Sequence, residues 1–176
     1  GLDYSVTPLS QIQNHPYGIE ALFRNEGTSP QTVNLEYNIT GSVPSNASSN
    51  SVVLNPADSI FLGSSFTPNA TGVYSVDIWG IADSAGFGAT TTLSNMETRV
   101  IEVTDHIYGK DLGPANSSSY ILGGLEDQNH ITTRFEMYAN EQLYAIRAFI
   151  GADSDIGANV KAIIYELDST AANGLT

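Results

Sequence analysis

The residues best suited to chemistry lie in an acidic loop near the end of the chain, at positions 151–159. Asp153 and Asp155 lie two positions apart there, and Asn159 follows four positions later. Carboxylate and amide oxygens are the ligands that Ca²⁺ prefers, and a turn would bring such side chains together. The loop lacks the full ligand series of an EF-hand and its final glutamate. We therefore interpret this segment as a solvated acidic hairpin loop, with a structural calcium site at these three residues as the alternative.

Aromatic side chains on an outer surface are the second group with a chemical use, because sugar rings stack on them. Trp79 is the only tryptophan in the chain, and the alternation of its strand places it on the outward face. Tyr138 is the second candidate. These two residues predict a carbohydrate-binding surface. The alternative for Trp79 is a structural role, packed beneath the connection at residues 82–94.

The sequence offers no arrangement typical of a catalytic site, and we expect a protein without catalytic residues. His15, His106 and His130 are far apart and have no metal-ligand spacing. Neither a Gly-X-Ser-X-Gly nucleophile turn nor a His-Glu-X-X-His zinc helix occurs. Cysteine is absent, which removes thiol catalysis, thiolate metal sites and disulfides. The sequence therefore predicts neither an enzyme nor a cofactor, and calcium belongs only to the alternative interpretation.

Composition and charge limit the partners that this chain is expected to bind. Of its 176 residues 41% are hydrophobic, which favours a folded protein in spite of a formal net charge of -13. The six basic residues are scattered, so nucleic acids and anionic lipids would be repelled. No stretch approaches the roughly 18 apolar residues of a membrane span. We expect a secreted or surface-attached bacterial protein that binds no nucleic acid and does not insert into a membrane.

The first hundred residues predict about seven short β-strands and no helix. Residues 33–40 give the clearest alternation of apolar and polar side chains, as a half-buried antiparallel strand requires. Residues 72–80 form a second such strand. Tyr74 near its start predicts the tyrosine corner of immunoglobulin-like sandwiches, with Val76 at the position where many of these domains have a cysteine. Residues 41–51 are predicted to form a loop, and residues 82–94 a long connection.

Several short motifs in this part resemble the CARDB-type immunoglobulin-like bacterial adhesion module. In that family a strand ends in N-x-G, an L-x-P-G turn precedes a strand, and G-x-Y-x-V opens the penultimate strand. Ala57 stands where the turn usually has glycine. The resemblance covers residues 3–104 and implies a non-catalytic spacer or adhesion domain. The matching segments are residues 23–28, 33–37, 54–59 and 72–76.

The remainder of the chain resembles the galactose-binding-like jelly-roll modules of secreted Bacteroidetes-type proteins. The resemblance rests on three predicted strands, which contain residues 134–137, 143–150 and 160–168. A complete jelly roll has about eight strands, and only about five can be placed here. We therefore expect an incomplete domain, cut from a longer polypeptide.

Together these observations predict an all-β protein with two domains. Residues 1–104 would form an immunoglobulin-like β-sandwich, and residues 105–176 a jelly-roll-like β domain. The expected function is a non-catalytic extracellular spacer or adhesion region whose partners are other domains of the same polypeptide. The alternative is a carbohydrate-binding module with a structural calcium ion, and its partners would be glycans.

Overall fold

The computed structural model describes residues 4–84, 90–110, 133–147, 156–157, 159 and 161–166. These residues form an all-β fold with one short helix. The chain divides into two compact units. The first consists of Gly1–Ala115 and His130–Asn140, and the second of Asn116–Asn129 and Glu141–Thr176. The strands and the helix all belong to the first unit.

A six-stranded sheet and a two-stranded sheet make up the first unit. In the larger sheet β1 pairs with β8 in parallel, and the other pairs are antiparallel. β7 lies between β8 and β3, and both β4 and β5 pair with β3. Its strands are β1 (Val6–Pro8), β3 (Gln31–Gly41), β4 (Ser45–Ser48), β5 (Val52–Leu54), β7 (Gly72–Ser84) and β8 (Thr90–Thr104). The smaller sheet is an antiparallel pair of β2 (Tyr17–Arg24) and β6 (Ser59–Phe66).

The hydrophobic core lies between the two sheets and follows the alternation of the sequence. On β3 every second side chain is buried, as the pattern predicts. Each strand contributes one face because successive side chains point to opposite sides. The buried side chains of the core include Ile19, Phe23, Val33, Leu35, Tyr37, Ile39, Leu62, Phe66, Tyr74, Val76, Ile101 and Val103. The all-β, sandwich-like character predicted from this alternation is confirmed.

The tyrosine corner predicted at the start of β7 is present. The Tyr74 side chain is fully buried, and its hydroxyl donates a hydrogen bond of 2.7 Å to the carbonyl of Ala70. The ring also packs edge-on against Phe66 of the opposite sheet. One side chain thus ties the turn before β7 to the strand and helps to join the two sheets.

Three local predictions were wrong. The helix α1 (Leu9–Asn14) was not expected, because six residues are too few to show a helical period. Residues 41–51 contain β4, whose four exposed polar residues have no alternation of their own and are held by pairing with β3. The connection 82–94 is shorter than predicted, since β7 continues to Ser84 and β8 begins at Thr90.

The described residues of the second unit contain neither helix nor strand. Leu143, Tyr144 and Ile146 are exposed there, as are Ile163 and Ile164. The strands predicted at 143–150 and 160–167 therefore do not appear over the described residues 143–147 and 161–166. The jelly-roll domain and the boundary at residue 104 remain predictions.

Among the described residues, no helix has the length and apolar character needed to cross a lipid bilayer.

Candidate functional site

The predicted calcium loop falls largely outside the described residues, since only Asn159 of its three ligands is described. Asn159 is exposed, while Asp153 and Asp155 lie among the residues that the structure does not describe. Within the described part of the chain, no group of three or more His, Cys, Asp or Glu side chains is placed to hold a metal ion. The calcium site thus stays a prediction.

Trp79 lies on β7 at an irregularity in the larger sheet. It stands opposite Glu36 of β3 in the register of the strands, on the face away from the core. The pairing of β7 with β8 shifts register between Ile78 and Gly80, so Trp79 marks a bulge. Its side chain is half-buried. The register of β3 and β7 thus puts Trp79 on the outer face, and the residue also contributes to the lining of an open cleft beside β2.

Tyr138 belongs to a different surface, near the other end of the sheet. β1 pairs with the end of β8, opposite the start of β7. Trp79 is about 23 Å further along β7, at roughly 3.3 Å per residue. Tyr138 contacts His15 and Gln11, which follow β1 in the chain. The two predicted sugar-binding aromatics therefore do not form one site.

Tyr138 is part of a short segment without helix or strand, residues 135–139, which we call the strap. The strap lies in a groove formed by four residues of the sandwich unit, Tyr4, Gln11, His15 and Tyr108. The Tyr138 ring stacks on the His15 ring with centroids 3.9 Å apart and planes 5° from parallel. That face of the tyrosine is covered by the imidazole, so it is not available to a sugar.

Gln11 provides the most specific contacts of the groove. Its side chain is 0% exposed, although glutamine is usually found at the surface. The amide oxygen accepts hydrogen bonds from the backbone N–H groups of Tyr138 at 2.7 Å and Ala139 at 3.1 Å. The amide nitrogen donates to the Ala139 carbonyl at 2.9 Å. The side chain thus binds three backbone groups of the strap with its one amide, which satisfies a polar group that would otherwise be costly to bury.

The helix α1 holds this glutamine against the strap. Gln11 and Ile12 are its buried residues, and Ile12 belongs to the core of the sandwich. Ile12 anchors the helix in the core, and Gln11, the residue before it, binds the strap. Pro8 immediately precedes the helix and has a fixed φ of -62°, which suits a helix start.

The aromatic side chains of the groove hold the other half of the strap. The Tyr4 hydroxyl accepts a hydrogen bond from the backbone N–H of Glu136 at 2.7 Å, and the Tyr108 hydroxyl donates to the Glu136 carbonyl at 2.8 Å. The Phe135 ring packs against both tyrosines, with centroids 6.0 Å and 5.4 Å away. The Lys110 ammonium lies 4.9 Å from the Tyr4 ring, at a distance typical of a cation–π contact.

Charge and burial shift the pKa of two groups at this surface. The pKa of the Glu136 carboxyl is lowered, first by the hydrogen bond from the Tyr138 hydroxyl and then by the nearby Arg134 guanidinium. Burial raises the pKa of the Tyr108 hydroxyl, and the neighbouring Tyr4 hydroxyl raises it further. Both shifts favour the protonation states that hold the strap at neutral pH.

A second concave surface is an open cleft of about 420 Å³ between β2 and the strands β7 and β8. Its lining includes the apolar residues Leu35, Val76 and Ile78. It also includes an ion pair, in which the Arg99 guanidinium lies 2.7 Å from a Glu97 carboxylate oxygen. Charged residues of β2 line the cleft as well, so it offers a ligand both apolar contact and charge.

Sequence reasoning found Tyr138 but missed the residues that hold it. Gln11 lies in a polar stretch with no distinguishing motif, and its partners are far away in sequence at residues 138–139. Such a contact leaves no periodic signal in the chain.

Comparisons with known protein families, with curated protein sequences and with solved structures gave no match for this chain.

Proposed function

We propose that this chain is a non-catalytic extracellular spacer or adhesion region of a larger secreted or surface-attached bacterial protein. In this proposal the first unit is an immunoglobulin-like module of CARDB type. The order of strands in the larger sheet and the Tyr74 hydrogen bond to Ala70 support the immunoglobulin-like assignment.

The contact between the N-terminal segment and the strap carries the spacer proposal. Tyr4 precedes the first strand, and Glu136 lies just before the chain passes into the second unit. The hydrogen bond between the Tyr4 hydroxyl and the Glu136 N–H ties these two segments together. A module that holds its incoming and outgoing segments at fixed positions can orient whatever is attached to them.

A ligand screen tests this proposal. We expect a melting temperature that does not change with Ca²⁺, EDTA or a panel of glycans, since a spacer has no ligand that stabilises its fold. A glycan array should give no binding. A clear rise in melting temperature with any of these additives would favour a binding module instead.

The second candidate is a carbohydrate-binding module, and the half-buried Trp79 on the outer sheet face favours it. Because the chain has one tryptophan, its fluorescence reports on this position alone. If a glycan binds there, titration should quench the emission, and Trp79→Ala should abolish binding detected by calorimetry. Val100→Ala is the matched control, because Val100 is an exposed apolar residue of the neighbouring strand β8.

The calcium prediction belongs to this second candidate and has a separate test. Asp153→Asn and Asp155→Asn remove the negative charges that would hold the ion. If calcium binds at this loop, Ca²⁺ should raise the melting temperature of the natural chain and not that of the double variant. An equal response in both would place the ion elsewhere.

A further inference from the structure

We propose that β2 binds an extended peptide of a partner protein as an added antiparallel strand. The peptide would pair with the edge of β2 that faces away from β6, which we call the open edge. β2 pairs with β6 along its whole length, and among the residues that the structure describes it pairs with no other strand. This binding role goes beyond the spacer function and does not depend on it.

The first argument is that β2 presents a regular row of backbone groups at the open edge. In an antiparallel ladder, every second residue of a strand turns its N–H and C=O groups away from the partner strand. Natural edge strands are usually protected by proline, by a bulge or by being short. The end strands of the larger sheet, β1 and β4, have only three and four residues. β2 has eight residues, no proline and no shift in its register with β6, so it can accept a further strand.

The second argument is the cleft of about 420 Å³ that lies beside this edge. Its lining includes Ile78 of β7 and Arg99 and Ile101 of β8. Arg99 and Ile101 are two positions apart and therefore share a face of the sheet, and Ile101 belongs to the core. The cleft thus continues the core surface of the larger sheet beyond the part that the smaller sheet covers. A strand added to β2 would place every second side chain over this surface.

The same geometry argues against a second copy of this chain as the occupant. β7 and β8 already line the cleft beside β2. A second copy that paired through its own β2 would bring its larger sheet into the same space, because β2 packs on that sheet in every copy. A single peptide strand carries no second layer. We therefore assign the open edge to a peptide.

The third argument is the charge pattern on the exposed face of β2. Glu20, Leu22 and Arg24 occupy every second position there and are exposed. Opposite charges and apolar side chains form favourable pairs across neighbouring strands. An antiparallel peptide should therefore read acid, apolar, apolar, apolar, base, with its second and fourth residues facing the cleft. Arg24 also lies 3.8 Å from Glu26, but both side chains are exposed, so this pair contributes little.

A synthetic peptide with blocked ends, Ser-Thr-Glu-Val-Leu-Val-Lys-Thr-Ser, tests the proposal. Trp79 lines the cleft and is the only tryptophan of the chain, so its fluorescence reports binding. We expect a saturable change at peptide concentrations up to about 1 mM. The matched control exchanges the glutamate and the lysine of the peptide, which keeps its composition and net charge. It should bind at least about threefold more weakly, because it places like charges opposite Glu20 and Arg24.

Exchanging the charges of β2 should reverse this preference. Glu20→Lys/Arg24→Glu leaves the net charge unchanged and alters two exposed side chains. An unchanged melting temperature would verify that the fold is retained. This variant should bind the charge-exchanged peptide at least about threefold more tightly than the first peptide.

Methylation of the peptide nitrogens tests whether the peptide binds as a strand. Only every second peptide N–H faces β2 in an antiparallel ladder. One peptide is methylated at its two valines, and another at its leucine and lysine. One of the two should lose affinity roughly fivefold or more, because its hydrogen bonds to β2 are blocked, and the other should bind as before.

Three results with the natural chain would each overturn the proposal. They are no fluorescence change at up to about 1 mM peptide, equal binding of the two charge patterns, and equal effects of the two methylation patterns. A fourth is a dimer of the chain alone, seen by sedimentation velocity at about 100 µM, that the peptide dissociates. In that case a second copy would occupy the open edge.

Discussion

Ala57 occupies a backbone conformation that alanine rarely adopts. Its φ is 70°, and it is the one non-glycine residue with positive φ among those described. It follows Pro56 in a turn closed by a hydrogen bond from the Asp58 N–H to the Asn55 carbonyl at 3.1 Å. This is the arrangement of a type II turn, in which the third residue is normally glycine. Alanine at this position, where glycine is usual, therefore lowers the stability of the turn.

Replacing Ala57 with glycine should stabilise the protein. The left-handed conformation costs an L-residue roughly 1–2 kcal/mol, and the greater flexibility of glycine in the unfolded chain offsets roughly 0.5–1 kcal/mol of the gain. We expect Ala57→Gly to raise the free energy of unfolding by about 0.5–1 kcal/mol, measured by urea denaturation. Ala47→Gly is the control at an exposed position of β4 without positive φ, and it should lower stability. Destabilisation by both changes would contradict the strain at Ala57.

The Tyr74 hydroxyl should contribute to stability separately from its ring. Tyr74→Phe keeps the buried ring and removes the 2.7 Å hydrogen bond to the Ala70 carbonyl. Loss of such a bond costs about 0.5–1.5 kcal/mol, and an acceptor left without a partner adds to this. Denaturant unfolding should show a loss of about 1–2 kcal/mol. Tyr144→Phe, at a side chain that is 79% exposed, should change little. Equal effects of the two variants would refute a special role for the tyrosine corner.

At the scale of elements, strands with alternating side chains could be predicted and elements held by distant contacts could not. The alternation of residues 33–39 is sufficient to predict β3, because the larger sheet buries one of its faces. β4 has four exposed polar residues, so its own sequence gives no periodic signal. The strap is a stronger case, since its position is set by Gln11 and Tyr4 at the opposite end of the chain. Only the fold brings these segments together.

The strap should open independently of the sandwich, and Gln11 should control how often it does. Gln11→Ala removes the three hydrogen bonds to the backbone of Tyr138 and Ala139. A loss of about 1–3 kcal/mol corresponds to exchange of these two amides that is roughly five to 150 times faster. Hydrogen exchange followed by NMR measures this directly, with β3 amides as the internal reference. Gln13→Ala, at an exposed glutamine of the same helix, should leave all rates unchanged. Uniform acceleration across β3 as well would mean that the helix stabilises the whole sandwich.

For the whole molecule, shortened chains can show whether the first unit extends to residue 140, as in the structure, or ends at residue 104, as the sequence predicts. A chain of residues 1–140 retains the strap, whereas a chain of residues 1–104 lacks the backbone groups of Tyr138 and Ala139 that the Gln11 amide binds. A hydrogen bond contributes about 0.5–1.5 kcal/mol to stability. The longer chain should therefore have a free energy of unfolding that is higher by at least about 0.5 kcal/mol, measured by urea denaturation. Equal stabilities would place the boundary at residue 104, as the sequence predicts.

Alkaline pH should destabilise the first unit, because burial raises the pKa of tyrosine hydroxyls at three places in it. Tyr17, Tyr74 and Tyr108 all have a raised pKa, with desolvation as the largest cause. An unfolded tyrosine loses its proton near pH 10. Above that pH the folded protein holds these protons while the unfolded chain releases them, so the free energy of unfolding falls as pH rises. The contribution of these groups is fully present below about pH 10.

Urea unfolding at about pH 8 and about pH 11 should therefore show a clear loss of stability at the higher value. Tyr17→Phe removes one of the three hydroxyls, together with its 2.8 Å hydrogen bond to the Thr7 hydroxyl. This variant should be less stable than the natural chain at about pH 8 but should lose less on going to about pH 11. Identical pH dependence in the two chains would mean that Tyr17 titrates alike in the folded and unfolded states. The desolvation of that hydroxyl would then contribute nothing to the alkaline transition.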